Sequence, residues 1–274
     1  MHILRLAVIA LFILSALLYG FAQIRYNSGR DTKPPVITAD TDVLELSVND
    51  PEDKLLEGIV AYDAVDGDVT DGILVSDESF FYDPGECTVK YVVFDKAHNC
   101  GFLTRTVRYT DYKAPRFYLT EPLIYSVGNN IHYLENITAV DDLDGDVTGK
   151  IRVLSSTVSN YSAGVYMARL EVMNSHGDRS QVDVNVVVRN GVSDANVKLS
   201  DYIVYIKKDQ EFDPYALITG VTDNNGKEAD AGLVNVRGNL DTSKAGSYTL
   251  AYILGDDDLT NGTYLTVVVE EDDQ

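Results

Sequence analysis

Two stretches of the 274-residue chain concentrate groups able to do chemistry: DAVDGDVTDG, from Asp63 to Gly72, and DDLDGDVTGK, from Asp141 to Lys150. Each sets aspartates around a glycine, with Asp63, Asp66 and Asp68 in the first and Asp141, Asp144 and Asp146 in the second. Carboxylates at this density have three uses. They can cage a calcium ion, which accepts varied oxygen geometries. A pair of them can divide acid and base work in glycoside hydrolysis. Or they can hold a turn, because an aspartate carboxylate accepts hydrogen bonds from nearby backbone N–H groups while glycine supplies positive φ.

Spacing narrows the choice. A helix-loop-helix calcium loop wants acids at positions 1, 3 and 5, glycine at 6 and glutamate at 12. Counting from Asp142 places Asp144 and Asp146 correctly but puts Val147 at the glycine and Val153 at the glutamate, so that register fails. A different calcium cage from the same six aspartates stays open. A hydrolytic pair needs a cleft that a small sandwich does not supply. The histidines, at 2, 98, 132 and 176, are dispersed, and no Gly-x-Ser-x-Gly occurs, so no nucleophile constellation is present and no enzymatic activity is expected. The turn reading is the stronger one, because a third copy, TDNNGKEAD around Gly226, is written without the full acid set. No cofactor beyond calcium is expected.

The elements that carry these segments recur. Asp31 begins DTKPPVIT and Asp111 begins DYKAPRFYLT, 80 residues later. Gly85, Gly164 and Gly246, in DPGECTVKYVVFD, SAGVYMARLEVMN and KAGSYTLAYILGD, follow at intervals of 79 and 82. After each glycine, side chains alternate. Cys87, Val89, Tyr91 and Val93 form the inward set of the first copy, Tyr166, Ala168, Leu170 and Val172 that of the second, and Tyr248, Leu250, Tyr252 and Leu254 that of the third. This is the period of a strand with one face on a core. A turn and a second β-rich run follow each, which predicts hairpins closing small two-sheet sandwiches. The fold class is therefore all-β: three tandem antiparallel sandwiches at residues 31–113, 114–193 and 194–274, behind a hydrophobic helix within 1–30. The links DYKAP (111–115) and RNGVSDAN (189–196) are short, which limits bending.

The run PPVI, AYDAVDGDVTDGI, DPGECTVKYVVFDKAHNCG and RTVRY resembles the bacterial immunoglobulin-like repeats found in tandem on surface proteins and in some insecticidal crystal proteins, and is similar to hyalin-type repeats. The resemblance covers residues 33 to 270 or so. It departs from the repeat pattern at Cys87, where tyrosine is usual, at His98, where the turn glycine is usual, and at Ala163 in the second copy. It implies an immunoglobulin-like sandwich serving as spacer, adhesin or accessory module. The expected function is noncatalytic: a membrane-anchored or exported bacterial surface protein whose domains act as spacer or bind a cell-envelope protein or glycan. A calcium-dependent adhesive module and an accessory part of a carbohydrate-active enzyme are the alternatives. The last would need exposed aromatics, whereas strand alternation sends much of the tyrosine into cores.

A cysteine prediction follows from the strand register. With the first hairpin turning near residue 97, Cys87 faces a residue near 107, so Cys100 lies roughly 23 Å away along the sheet and cannot bridge to it. His98 is expected to occupy a left-handed turn position. Three Asn-x-Ser/Thr sequons, at Asn136, Asn160 and Asn261, would matter only in a eukaryotic secretory setting.

Leu6 to Ala22 carries no charge. A segment of this length and composition is a membrane anchor or a cleaved signal peptide, with Gly20 and Ala22 as small residues before a cut at Gln23. Basic residues flank both ends, so charge does not fix orientation. Either way the rest is expected outside: single-pass with an extracellular C-terminal region, or secreted. The acidic EEDDQ end carries no wall-sorting signal, so any anchor is expected to be N-terminal. A formal net charge of −21 repels phosphate backbones and argues against nucleic acid as a partner.

Overall fold

The computed structural model describes residues 2–28, 30–191, 196–223, 225–255 and 259–271. Part of the RNGVSDAN link, part of the last hairpin turn and the final three residues, Asp272, Asp273 and Gln274, lie outside these. Helix α1 runs His2–Ser28, and its stretch Arg5–Arg25 has mean hydropathy 2.2 with none of it buried against the protein. That length suits a membrane span or a signal segment.

Among the described residues, all remaining regular structure is β with short 3-10 turns. The first repeat contains β1 (Val36–Ala39), β2 (Val43–Leu46), β3 (Ile59–Asp63), β4 (Gly67–Asp68), β5 (Leu74–Glu78), β6 (Glu86–Phe94) and β7 (Cys100–Tyr109). They form two sheets, ordered β1-β3-β4 and β2-β7-β6-β5. The second repeat has β8 (Arg116–Leu119), β9 (Ile124–Ser126), β10 (Ile137–Asp141), β11 (Gly145–Asp146), β12 (Arg152–Ser156), β13 (Gly164–Met173) and β14 (Arg179–Arg189), in the orders β8-β10-β11 and β9-β14-β13-β12. In the third, β15 (Asn196–Leu199) pairs with β17 (Ile218–Thr222), while β16 (Ile203–Lys207), β18 (Val234–Arg237), β19 (Gly246–Leu254) and β20 (Thr263–Glu270) form a sheet ordered β16-β20-β19-β18. Pairing is antiparallel except at one edge of each four-stranded sheet, where β2, β9 and β16 run parallel to β7, β14 and β20.

The alternation read from sequence sets the cores. Cys87, Val89, Tyr91 and Val93 are each fully buried, as are Ala168, Leu170 and Val172. Tyr166 and Tyr248 differ from expectation. They are half-buried, and their hydroxyls donate to the carbonyls of Ser162 and Lys244, clasping the loop before each strand. Cys87 therefore replaces a loop clasp with a small core residue. Its partner across the hairpin is Val107, while Cys100 faces Phe94, so the two sulfurs are separated as the register requires. Burial pushes the Cys87 thiol up to about 11, and Cys100 is partly exposed. Alkylation of the folded chain at pH 8, followed by mass spectrometry, should give one adduct, on Cys100, and two only after denaturation.

The chain divides into two compact units, Met1–Thr110 and Asp111–Gln274. Within the second unit, repeats two and three share a continuous core from Phe117 to Val269. Polar ties reinforce it. The Arg116 guanidinium meets both Glu270 oxygens at 2.6 Å, the Phe117 N–H donates to the Tyr205 hydroxyl at 2.8 Å, and the buried Arg189 donates to the carbonyls of Thr260 and Gly262.

Candidate functional site

The acidic segments form a corner in each repeat. Asp63 Oδ1 accepts the N–H groups of Val65 and Asp66, both at 2.8 Å. Asp141 Oδ1 does the same for Leu143 and Asp144, and Asp223 Oδ1 for Asn225 and Lys227. The glycine that follows, Gly67, Gly145 or Gly226, has φ of 81°, 70° or 72°, a conformation that a side chain would strain. Asp68 and Asp146 then accept the N–H groups of Thr70 and Thr148, whose hydroxyls accept from Ala61 and Ala139 on the neighbouring strand. The third corner keeps the leading aspartate and the glycine and drops the rest, so those two are the minimum the bend requires.

Asp66 and Asp144 reach further, to the turn of the last hairpin. Asp66 accepts the Lys96 N–H at 2.8 Å and the Lys96 ammonium at 3.0 Å. Asp144 accepts from Ser175, through its N–H and its hydroxyl, and from the Lys150 ammonium. In that turn His98 has φ of 66°, as its place at the usual glycine position predicted, and Gly177 holds the matching position in the second repeat with φ of 81°.

These bonds leave an electrostatic signature. The Asp66 carboxyl lies below the usual value because of the Lys96 N–H and then the Lys96 side chain, and Asp68 and Asp146 lie low through bonding to Thr70 and Thr148. Burial works to raise Asp144, but hydrogen bonds from Lys150 and Ser175 outweigh it and the net shift is downward. A depressed carboxyl means that the unfolded chain takes up the proton first as pH falls. Stability should therefore be level above the ordinary aspartate value of 3.8 and fall as pH drops below it, which thermal melts between pH 7 and pH 2.5 would read.

The six aspartates singled out from sequence do not gather at one point. Asp66, Asp68, Asp144 and Asp146 bond to the backbone and hydroxyl groups of their own repeats. Asp63 does join other acids. Among the described residues, the acids whose carboxylate oxygens converge are Asp31, Asp63 and Asp95, with one oxygen from each lying within 4.8 Å of the others. Asp31 precedes β1, Asp63 ends β3, and Asp95 follows β6, so three separate segments supply them. Asp63 is 1% exposed and Asp95 4%. Asn99 binds Asp95 through its N–H and its side-chain amide, and donates to the Asp31 carbonyl. Sequence reading missed Asp31 and Asp95. The signal available was the repeat itself, which aligns them with Asp111 and Asn174.

A groove of about 440 Å³ on the third repeat is lined by Phe212, Tyr215, Val236 and Leu240, with Glu211 its single carboxylate, so it offers no acid pair. Several tyrosines, Tyr91, Tyr202 and Tyr252 among them, lie in the cores as expected, while phenylalanines are exposed elsewhere. On the outer face of the first repeat's four-stranded sheet, Leu74, Val92 and Phe102 lie in one cross-strand row, and Phe94 pairs with Cys100 in the next. Leu74, Phe94 and Phe102 are more than half exposed, and the Lys90 ammonium lies 4.9 Å from the centre of the Phe102 ring.

No protein-family model matches the chain. Over 124 residues, 44% of its length, it is 31% identical to the pesticidal crystal protein Cry22Aa of Bacillus thuringiensis, of which it spans 16%. Among solved structures it is similar to the CBM51-2 and INT domains of Clostridium perfringens ZmpB, at 26% identity over 27% of this chain and 16% of that one, with a TM-score of 0.25. It is also similar to Drosophila N-cadherin EC1-4, at 13% identity over 88% of this chain and 76% of that one, with a TM-score of 0.23. TM-scores of this size carry no functional implication.

Proposed function

We propose that the chain is a noncatalytic bacterial surface protein, exported or held by α1, whose immunoglobulin-like sandwiches serve as spacer and as protein- or glycan-binding modules. The local identity to a pesticidal crystal protein agrees with the motif resemblance to bacterial immunoglobulin-like repeats, and supports that reading of the sandwiches. The observation that carries a binding role is the exposed apolar strip of Leu74, Phe94 and Phe102 around the buried Val92. A solvated sheet face is ordinarily polar, and a contiguous apolar patch on a folded domain marks a contact surface. Aromatic rings there offer large contact area with little conformational entropy to lose.

The corners support the noncatalytic part. Asp66, Asp68, Asp144 and Asp146 accept from backbone N–H groups, lysines and serine, and the Ser175 hydroxyl, 3.2 Å from His176 Nδ1, donates its proton to Asp144. The test is retention of the full chain, in detergent micelles, on isolated cell-envelope material. The paired substitution Phe94→Ala and Phe102→Ala should reduce retention at least about tenfold, as loss of central aromatic anchors does. Tyr161→Ala, at a site 90% exposed on the second repeat, should leave it unchanged. Equal retention of all three proteins would remove the strip from the interface.

A further inference from the structure

The second repeat shows what a self-sufficient corner looks like. Asn174 holds the position that Asp95 holds in the first, 79 residues earlier. Its amide donates to Asp141 Oδ2 at 3.2 Å and to the Tyr112 hydroxyl at 2.9 Å, and that hydroxyl in turn donates to Asp178 at 2.7 Å. One neutral amide thus satisfies Oδ2 of the buried Asp141, which is 2% exposed, and the phenol ties that amide to Asp178.

In the first repeat the amide belongs to Asn99 and donates to Asp95 and to the Asp31 carbonyl, not to Asp63. Asp95 stands where the second repeat has the Asn174 amide, Asp31 enters from the segment just past α1, and three carboxylates meet where the second repeat has Asp141 and Asp178 separated by an amide and a phenol. Asp31 Oδ2 and Asp63 Oδ2 are shut off from solvent with no hydrogen-bond partner. The other Asp63 oxygen is already engaged by Val65 and Asp66. Among the described residues, every ion pair lies elsewhere. Leaving buried carboxylate oxygens unpaired beside like charges is costly, and the cost disappears if a cation lies among them.

We infer that Asp31, Asp63 and Asp95 bind one calcium ion. The ligand set is all oxygen and carries three formal negative charges, which suits a hard cation and disfavours zinc. Oxygens confined within 4.8 Å of one another fit around an ion with bond lengths of about 2.3–2.6 Å, with water completing the shell. The site differs from one built of the two acidic corners: it uses one corner aspartate and two residues outside both. It is also independent of the aromatic strip. Its consequence is mechanical, since the ion joins the segment that leaves α1 to the β3 corner and the β6–β7 turn, and is available once the domain meets extracellular calcium.

The experiment titrates calcium, by calorimetry, into the full chain in detergent micelles after removal of divalent ions with a chelator. One site per chain should fill by millimolar calcium, the range in which extracellular calcium modules work. The first unit should melt several degrees higher when it is filled. Asp95→Asn, which installs the residue the second repeat already uses, should keep the calcium-free β-sheet spectrum, weaken binding at least about tenfold and remove the thermal response. Asp144→Asn, in the second corner, should change neither. Absence of binding at millimolar calcium, undiminished binding by Asp95→Asn, or loss of binding in Asp144→Asn would overturn the assignment. So would stabilisation of the chelator-treated protein by acid alone, since it would mean that the three carboxyls share protons instead of an ion.

Discussion

Tyr91→Ala should destabilise the first unit by about 3–5 kcal/mol, the range for deleting a buried aromatic ring and leaving its cavity. Tyr91 is fully buried at the centre of β6, facing Leu103 of β7 and Val75 of β5. Its hydroxyl donates to the Leu55 carbonyl at 2.7 Å, which pins the 3-10 turn Glu52–Leu56 over the open side of the sandwich. Tyr252 does the same in the third repeat, with Pro214 as acceptor at 2.8 Å. Tyr91→Phe separates the two contributions. It should cost about 1–2 kcal/mol, mainly because the Leu55 carbonyl loses its donor. Chemical denaturation followed by hydrogen exchange over residues 31–110 reads both. Because a domain of this size has a total stability of about 5–15 kcal/mol, the alanine variant should expose the unit measurably at ambient temperature.

The second large effect belongs to Arg189→Ala, expected to cost about 2–4 kcal/mol. Arg189 ends β14 and is 6% exposed, with its guanidinium donating to Thr260 and Gly262 of the third repeat. Removing it takes charged donors from the carbonyls of the buried Gly262 and the partly buried Thr260, and a buried acceptor left without its donor is costly. The carbonyls belong to a different repeat from the arginine, so the loss should appear as weaker coupling between repeats two and three. In calorimetry, the melt of residues 111–274 should broaden or split. An unchanged single transition would mean that the shared apolar core alone holds the two together.

Strand content and register were legible because alternation along β6 leaves few choices: one residue of slip would turn Tyr91 and Val93 outward. The same register placed Cys87 opposite a residue near 107, which is Val107, while the turn position of His98 pointed to its left-handed backbone. The parallel edge strands were not legible, since four- and five-residue segments such as Val43–Leu46 carry too little pattern to show which neighbour they join. Nor was the joint core of repeats two and three, because Phe117 and Val269 are brought together by chain packing that no local motif encodes. The convergence of Asp31, Asp63 and Asp95 escaped for a related reason. Acids 32 residues apart share no local signature, and the crowded DGD run drew notice to carboxylates that turn out to serve their own backbone. Phe94 was correctly directed outward by alternation. What sequence did not reveal was that Phe102 and Leu74 join it across two strand boundaries to make a continuous strip.

The noncatalytic surface role is tested most directly by following one incubation in two ways. Full chain in detergent micelles is mixed with isolated cell-envelope polysaccharide and protein, and both its retention and the release of soluble fragments are measured over time. The expected result is saturable retention with no fragments released beyond the protein-free control. Fragment release that rises with protein concentration and is abolished by a single substitution such as Asp63→Asn would contradict it, and would make the corner a site of chemistry.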